Sequence, residues 1–504
     1  MKKRIWLLLA AAVLAALFIS ACTGTNESQN GAESNSSTEN SGSAVSVDDP
    51  YKGVFRAGFG RVNITPEASA ALPLAGYGNT QNRLSTGFLD YIFTTCIAIS
   101  DENDETLLMY TTDIISSNDT VIAEAKQMIT DQLGISVDHI VFTATHTHSS
   151  IDQSQVTMVG DFLVTMKSAF VQAAQQALAD RAPCTFEWTT ADLKGYNYVR
   201  HYFTNLDESV GDNHGQYAVG TLSRHTTEAN NTMFILKMER DTEKDIYLSN
   251  WRAHPVLTGR GSSNVNNQKT NISADWISPI RSRMEQEYDA YFAYFQGDSG
   301  NMNPLTELPA SVEYRPPTDY REYGNEIADI MIAAVNAGME KVETGPIRTM
   351  QTTFTGRVNH ADEDKLAIAN TVYGIWTSTG DIAKCLEVAI PNGIDSQYEA
   401  GAILTRSAMG ETLSFEIHAT VIGDFAFTHA PFELFDTNGD FIRDNSPVKH
   451  TFVLGYSNQS WGYLPSQFAY EYGCYEADTT RFAVGTAEEL ASRFVEMLTE
   501  LKNQ

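Results

Sequence analysis

Ile140-Val141-Phe142-Thr143-Ala144-Thr145-His146-Thr147-His148-Ser149-Ser150 is the stretch on which the reading of this chain turns. Its first half is short, apolar and rich in β-branched and aromatic residues. That pattern predicts a buried strand, with both histidines in the loop at its carboxyl end. Sheets hold such loops on a rigid base, and chemistry collects there. In extended backbone, residues i and i+2 point the same way, so His146 and His148 can enter one pocket, a donor pair suited to Zn²⁺. Two polar loop histidines without a ligand are the alternative, because H-x-H alone is a weak motif.

Outward from this stretch, apolar runs alternate with helical periods. Phe93 to Ile99 and Thr106 to Thr112 read as strands. Asn118 reads as the N-cap of a helix from Val121 to Leu133, stopped by Gly134. A second helix is predicted from Phe162 to Ala179. Strands follow at Thr185 to Thr189, Met233 to Met238, Ile246 to Asn250 and Tyr291 to Phe295. Ile272 to Trp276 reads as the start of a helix reaching about Glu287, with Ser273 or Asp275 as its cap. Tyr320 to Met339 is a further helix. Residues 345–420 read as strands and polar segments without chemistry. Thr420 to Thr428 and Phe452 to Tyr456 are strands, and Thr486 to Leu501 is a closing helix. Strand–helix alternation of this kind predicts the α/β class, mixed sheets flanked by helices.

The N-terminus predicts export. Lys2, Lys3 and Arg4 precede an apolar run from Ile5 to Ile19, which ends in Ile19-Ser20-Ala21-Cys22. This resembles a bacterial lipobox. It implies a signal peptide over 1–22, a diacylglycerol on Cys22, and a lipid-anchored protein on the outer face of the membrane, in the cell envelope. Residues 23–49 are Ser-, Asn-, Glu- and Gly-rich and read as a flexible tether. Residues 50–504 read as one large domain. The formal charge of −29 argues against nucleic acid as a partner. Cys96, Cys184, Cys385 and Cys474 are widely spaced, so paired cystines and buried free thiols both stand open.

Other stretches carry candidate chemistry. Tyr196 to Tyr202 is aromatic and contains Arg200, a cation able to grip an anionic or carbonyl group. Trp251-Arg252-Ala253-His254-Pro255 puts another histidine at a strand end. Gly297-Asp298-Ser299-Gly300-Asn301-Met302-Asn303-Pro304 is a glycine-bearing turn whose N–H groups can face a ligand. Glu433 lies in the apolar run Pro431 to Phe435, and a buried carboxylate needs a partner. Tyr463 and Tyr475 follow in a tyrosine-rich segment.

Taken in order, these motifs resemble the neutral/alkaline ceramidase family, in its N-terminal zinc hydrolase domain. The similar stretches are Gly58 to Pro66 (GFGRVNITP), Ala144 to Ser150, Asn250 to Pro255, Pro431 to Phe435 and Ser457 to Glu476. The resemblance implies zinc held by His146, His254, Glu433 and Tyr463. It implies His148 as an inner-pocket group and Arg200 as a substrate-positioning cation. Chemically, His148 suits a general acid/base if it is not itself a ligand, the Gly300 turn can give N–H donors to an oxyanion, and Tyr475 is expected to bind substrate. Three departures are evident. Asn303 stands where the family's turn carries its serine, though Ser299 and Ser273 lie near; a glycine-rich loop is replaced by Ser149-Ser150-Ile151-Asp152; and the family's C-terminal β-domain has no counterpart.

The expectation is therefore a zinc-dependent hydrolase of an amide (N-acyl) or ester bond in a small or lipid-like substrate, not a true ceramidase, with Asn303 donating to a developing oxyanion. The alternative is a ligand-binding lipoprotein on a decayed scaffold. An esterase acting on a phosphate or acetyl group is a third reading.

Overall fold

The strand Ile140–Ala144 forms as expected, and its continuous apolar run has a simple cause: it is buried on both faces. Val141 points into a core shared with a second sheet, while Ile140, Phe142 and Ala144 point toward helices. Burying a side chain the size of Phe142 stabilises the fold by about 1.5–3 kcal/mol. In this computed structural model the described residues are 49–77, 83–205, 210–212, 221–259, 268–309, 311 and 314–504. The signal segment 1–22 with Cys22, and the tether up to residue 48, lie outside them.

The main sheet runs in the order Tyr291–Gln296, Ile246–Trp251, Thr232–Arg240, Ala182–Asp192, Arg56–Asn63, Phe93–Ser100, Thr106–Thr112, Ile140–Ala144. The outermost pair at each end is parallel and the interior pairs are antiparallel, so the sheet is mixed. It curls until its ends meet: the Thr111 hydroxyl donates to the Tyr294 carbonyl at 2.6 Å. That closure gathers the loops after Ile140–Ala144, Ile246–Trp251 and Tyr291–Gln296 at one place.

A second sheet, in the order Ile347–Arg357, Thr412–Ile422, Phe425–His429, His450–Leu454, packs face to face on the first. Phe186, Leu236, Leu248 and Phe295 meet Ile422, Phe425, Phe427 and Phe452 between them. Helices Asp119–Leu133 and Val156–Ala179 cover one part of the outer face of the main sheet, and Ile277–Tyr288 and Tyr320–Ala337 cover another. Thr486–Lys502 covers the second sheet through Leu490, Phe494 and Leu498. The architecture is α/β with mixed sheets flanked by helices. Gly58 and Gly60 explain how near a helix can come: a Cβ on either would run into the backbone of Val156–Ala179.

Helix termini follow local chemistry where it was read. The Asn118 side chain accepts from the Val121 N–H, and Gly134 closes the helix in the left-handed region. Elsewhere the structure corrects the reading. Thr420 to Thr428 is not one strand but the end of Thr412–Ile422 and the start of Phe425–His429, because Gly423 (φ +62°) lets the chain fold into a hairpin. Residues 345–420 hold three helices, Glu363–Thr379, Ile382–Ala389 and Gln397–Ser407, around a small core of Ala369, Val372, Cys385 and Ile403. Much of their surface is polar, which hides the helical period. Ser273 and Asp275 do not cap a helix; it starts at Ile277, without a side-chain cap bond. The four cysteines are buried free thiols, which settles the cystine alternative among the described residues.

His418 and His429 face each other across the hairpin, rings stacked at 4.8 Å, both buried. Burial, with Lys126 nearby, pushes His418 down to about 3 and His429 well below its usual range. Each is then neutral in the folded chain and charged in the unfolded chain below about pH 6.5. The unfolded chain binds more protons there, so stability falls as pH drops from about 6.5 toward about 3. The slope is about 1.4 kcal/mol per pH unit for each fully uncoupled histidine. Urea midpoints across this range should decline less steeply in His418→Leu than in the parent protein.

Candidate metal centre

His146 sits just past its strand with φ +65°, a left-handed conformation that non-glycine residues rarely adopt. Its N–H donates to the Ile114 carbonyl, and its Nδ1 donates to the Ile115 carbonyl at 2.6 Å. A carbonyl can only accept, so Nδ1 carries a proton, and in the neutral ring that leaves Nε2 as the acceptor. The ring stacks on Tyr456 with centroids 4.0 Å apart. His254 is fixed the same way: its backbone N–H and its Nδ1 both donate to the Met302 carbonyl, at 3.0 and 2.8 Å. Its Nε2 is likewise left as the acceptor. Nδ1 donation to a carbonyl is how metal-ligating imidazoles are commonly oriented.

Glu433 reaches the two nitrogens from the segment that follows Phe425–His429. Its Oε2 lies 3.3 Å from His146 Nε2 and 3.4 Å from His254 Nε2. His148 Nε2 lies 3.3 Å from His146 Nε2. Burial alone would raise the Glu433 carboxyl; positive charge or a donated proton at the His146 and His254 edges draws it well below the usual range, and with those edges bare that part falls to a cation between them. Burial pushes His254 down to about 4 and His148 well below its ordinary value, so both are neutral at pH 7.

This set fits a divalent ion. Among the described residues, His254 Nε2 and Glu433 Oε2 are buried atoms without a hydrogen-bond partner, and each presents a lone pair to the other. Two acceptors face to face repel unless a cation lies between them. The separations of 3.3 and 3.4 Å match the edge of a tetrahedron with bonds of about 2.0–2.1 Å, roughly 3.3–3.4 Å, as zinc forms with nitrogen and oxygen. His146, His148 and His254 together bring their donor atoms within 4.8 Å of one another. His148 is thus near enough to be a donor itself, which competes with its expected acid/base role.

The other expected residues divide. Tyr463 pairs with Glu433 in a two-residue parallel bridge, its ring beside Tyr475 at 5.8 Å and below the Arg200 guanidinium at 5.4 Å. Burial and Glu433 hold its phenol protonated. Arg200 is buried and anchored by Glu476, whose Oε1 takes Nε at 2.6 Å and also pairs with a terminal guanidinium nitrogen. The same carboxylate reaches His201 through Oε2 at 2.9 Å. Asn303, 2% exposed, lies next to the Met302 carbonyl that fixes His254, and its Nδ2 has no partner among the described residues.

The Gly300 N–H donates to the Leu434 carbonyl at 2.8 Å. A Cβ there would strike the Glu433 backbone, and the glycine is needed for that close approach. Neither candidate serine replaces the missing one: Ser299 shares a hydrogen bond with Tyr456, and Ser273 donates to Asp90. Sequence reasoning also missed Tyr456, at φ +54° behind His146, and Glu476, the counter-ion of Arg200. A strand-like pattern hid the first, and the second had no local signal beyond its place beside Tyr475.

No family model matches this chain, and no curated protein matches it. Solved structures do. A crystal structure of neutral ceramidase from Pseudomonas aeruginosa superposes with a TM-score of 0.65 at 16% identity, over 89% of this chain and 75% of that one. A structure described as ceramidase complexed with C2 gives 0.64 at 17% identity, with the same coverage. The chain is similar in fold to these ceramidases, which agrees with the resemblance read from its motifs.

Proposed function

We propose that this chain is a zinc-dependent hydrolase of an amide (N-acyl) or ester bond, carried on the outer face of the membrane by a lipid on Cys22. One observation carries the reading: bare nitrogens of His146 and His254 face an ionised Glu433 at the edge length of a zinc tetrahedron. The ceramidase-like fold supports N-acyl substrates as the class to try first.

His146, His254 and Glu433 would hold the ion, with Tyr463 or His148 as the fourth donor. When bound, zinc polarises a carbonyl and makes water nucleophilic near neutral pH. Arg200, locked by Glu476, presents a fixed positive charge beside Tyr463 to orient a carbonyl or carboxylate. Asn303 offers an unspent amide N–H to developing negative charge. Tyr475 walls the site beside Tyr463.

A panel of N-acyl and ester substrates tests this on the soluble form, residues 50–504. Turnover that chelation abolishes and zinc restores is the expected result. Metal binding without turnover of any substrate favours the second reading, a ligand-binding lipoprotein, which the asparagine at position 303 supports. In the full chain, Cys22→Ser should leave the membrane fraction.

A further inference from the structure

We propose that Asp275 is a positioning residue for the metal centre, clamping the loop that carries His146 and His148 to the loop that carries His254. The inference rests on the metal reading of those histidines.

Asp275 is fully buried, holds φ +57°, and has no cation within ion-pair distance among the described residues. A carboxylate in that position needs donors, and it has them. Its Oδ2 accepts from the Thr258 N–H at 2.7 Å and the Thr258 hydroxyl at 2.6 Å, and its Oδ1 accepts from the Trp276 N–H at 2.8 Å. Thr258 lies four residues beyond His254. The same Thr258 hydroxyl, shared between two acceptors, also donates to Ser149 Oγ at 2.9 Å, and Ser149 directly follows His148. One carboxylate therefore ties both histidine loops through a single hydroxyl.

Neighbouring residues repeat the tie. The Ser273 N–H donates to the Ser149 carbonyl, and the Thr147 hydroxyl donates to the Ser273 carbonyl, each at 2.8 Å. The Asp275 N–H donates to Ser273 Oγ, and Trp276 Nε1 donates to the His254 carbonyl. His148 N–H donates to the Pro255 carbonyl at 3.1 Å, so the loops touch directly where Asp275 holds them. A non-glycine residue in a left-handed conformation at such a junction is the kind of strain that accumulates at functional sites. Asparagine would have the same shape, but its NH₂ would face N–H and O–H donors.

The test is a Zn²⁺ competition titration with a chromophoric chelator, beside visible absorption of the Co²⁺-loaded protein. Asp275→Asn and Thr258→Val should each bind zinc about 10–100-fold more weakly, the range typical when outer-shell support is lost. Both should alter the Co²⁺ bands, and Thr258→Ser should restore both readouts. Wild-type zinc affinity and an unchanged Co²⁺ spectrum in Asp275→Asn, or in Thr258→Val should the former not fold, overturn the proposal even where the urea midpoint drops. Wild-type zinc affinity in His254→Ala would overturn the underlying metal reading instead, and the two failures are distinct.

Discussion

In His254→Ala, bound zinc is expected to fall from about one ion per chain to none that survives gel filtration, and hydrolysis should disappear with it. Glu433→Ala and His146→Ala should behave alike. Losing an outer-shell partner typically costs 10–100-fold in affinity, so losing a donor should cost more than that. The sites are near-equivalent because each contributes one side of the same triangle, at 3.3 and 3.4 Å from the shared Glu433 oxygen. Tyr463→Phe and His148→Ala decide the fourth place, since the larger loss of zinc identifies the donor. Elemental analysis of the purified chains is sufficient. Zinc at the wild-type level in His254→Ala would remove the basis for a metal enzyme.

Glu476→Gln should produce the largest loss of stability. Its carboxylate is wholly buried and serves two cations, Arg200 and His201, both also buried. Burial opposes charge on His201, but Cys474 and Glu476 raise its pKa well above the ordinary value. Breaking a buried ion pair by removing one partner typically costs about 3–5 kcal/mol, because the remaining charge is left uncompensated. The pH dependence has a definite sign. A histidine whose folded pKa is raised contributes stability that is fully present below about pH 6.5 and is lost as pH rises through the folded value. The gap between wild type and Glu476→Gln in urea midpoint should therefore be wider at pH 6 than at pH 9. A loss under about 1 kcal/mol would show that the pair is no better than a surface salt bridge.

Much of this was legible before any coordinates, and for reasons that stay within a few residues. The run Ile140 to Ala144 announces a strand because it is apolar, β-branched and short. Asn118 and Gly134 mark a helix because their side-chain and backbone chemistry is local. His146, His254 and Glu433 were each recognisable as strand-end or buried polar residues in need of a partner. The ordered motifs also carried a resemblance to ceramidases, and the fold of the chain is similar to theirs.

Other features depended on distant parts of the chain coming together. Gly300 reads as part of a glycine-bearing turn, and only the fold brings the backbone of Glu433, more than a hundred residues on, against it and its N–H to Leu434. Asp275 reads as a helix cap, yet its carboxylate turns back to Thr258. Periodicity and capping are fixed by neighbours in sequence, so the amino-acid order alone determined many of the strands, some of the helix ends and the types of donor. Whether those donors share one ion depends on the main sheet curling until Thr111 meets Tyr294, and on the segment after Phe425–His429 presenting Glu433 across the gap. Contacts between residues so far apart leave no period or spacing in the chain, and only the tertiary structure decided them.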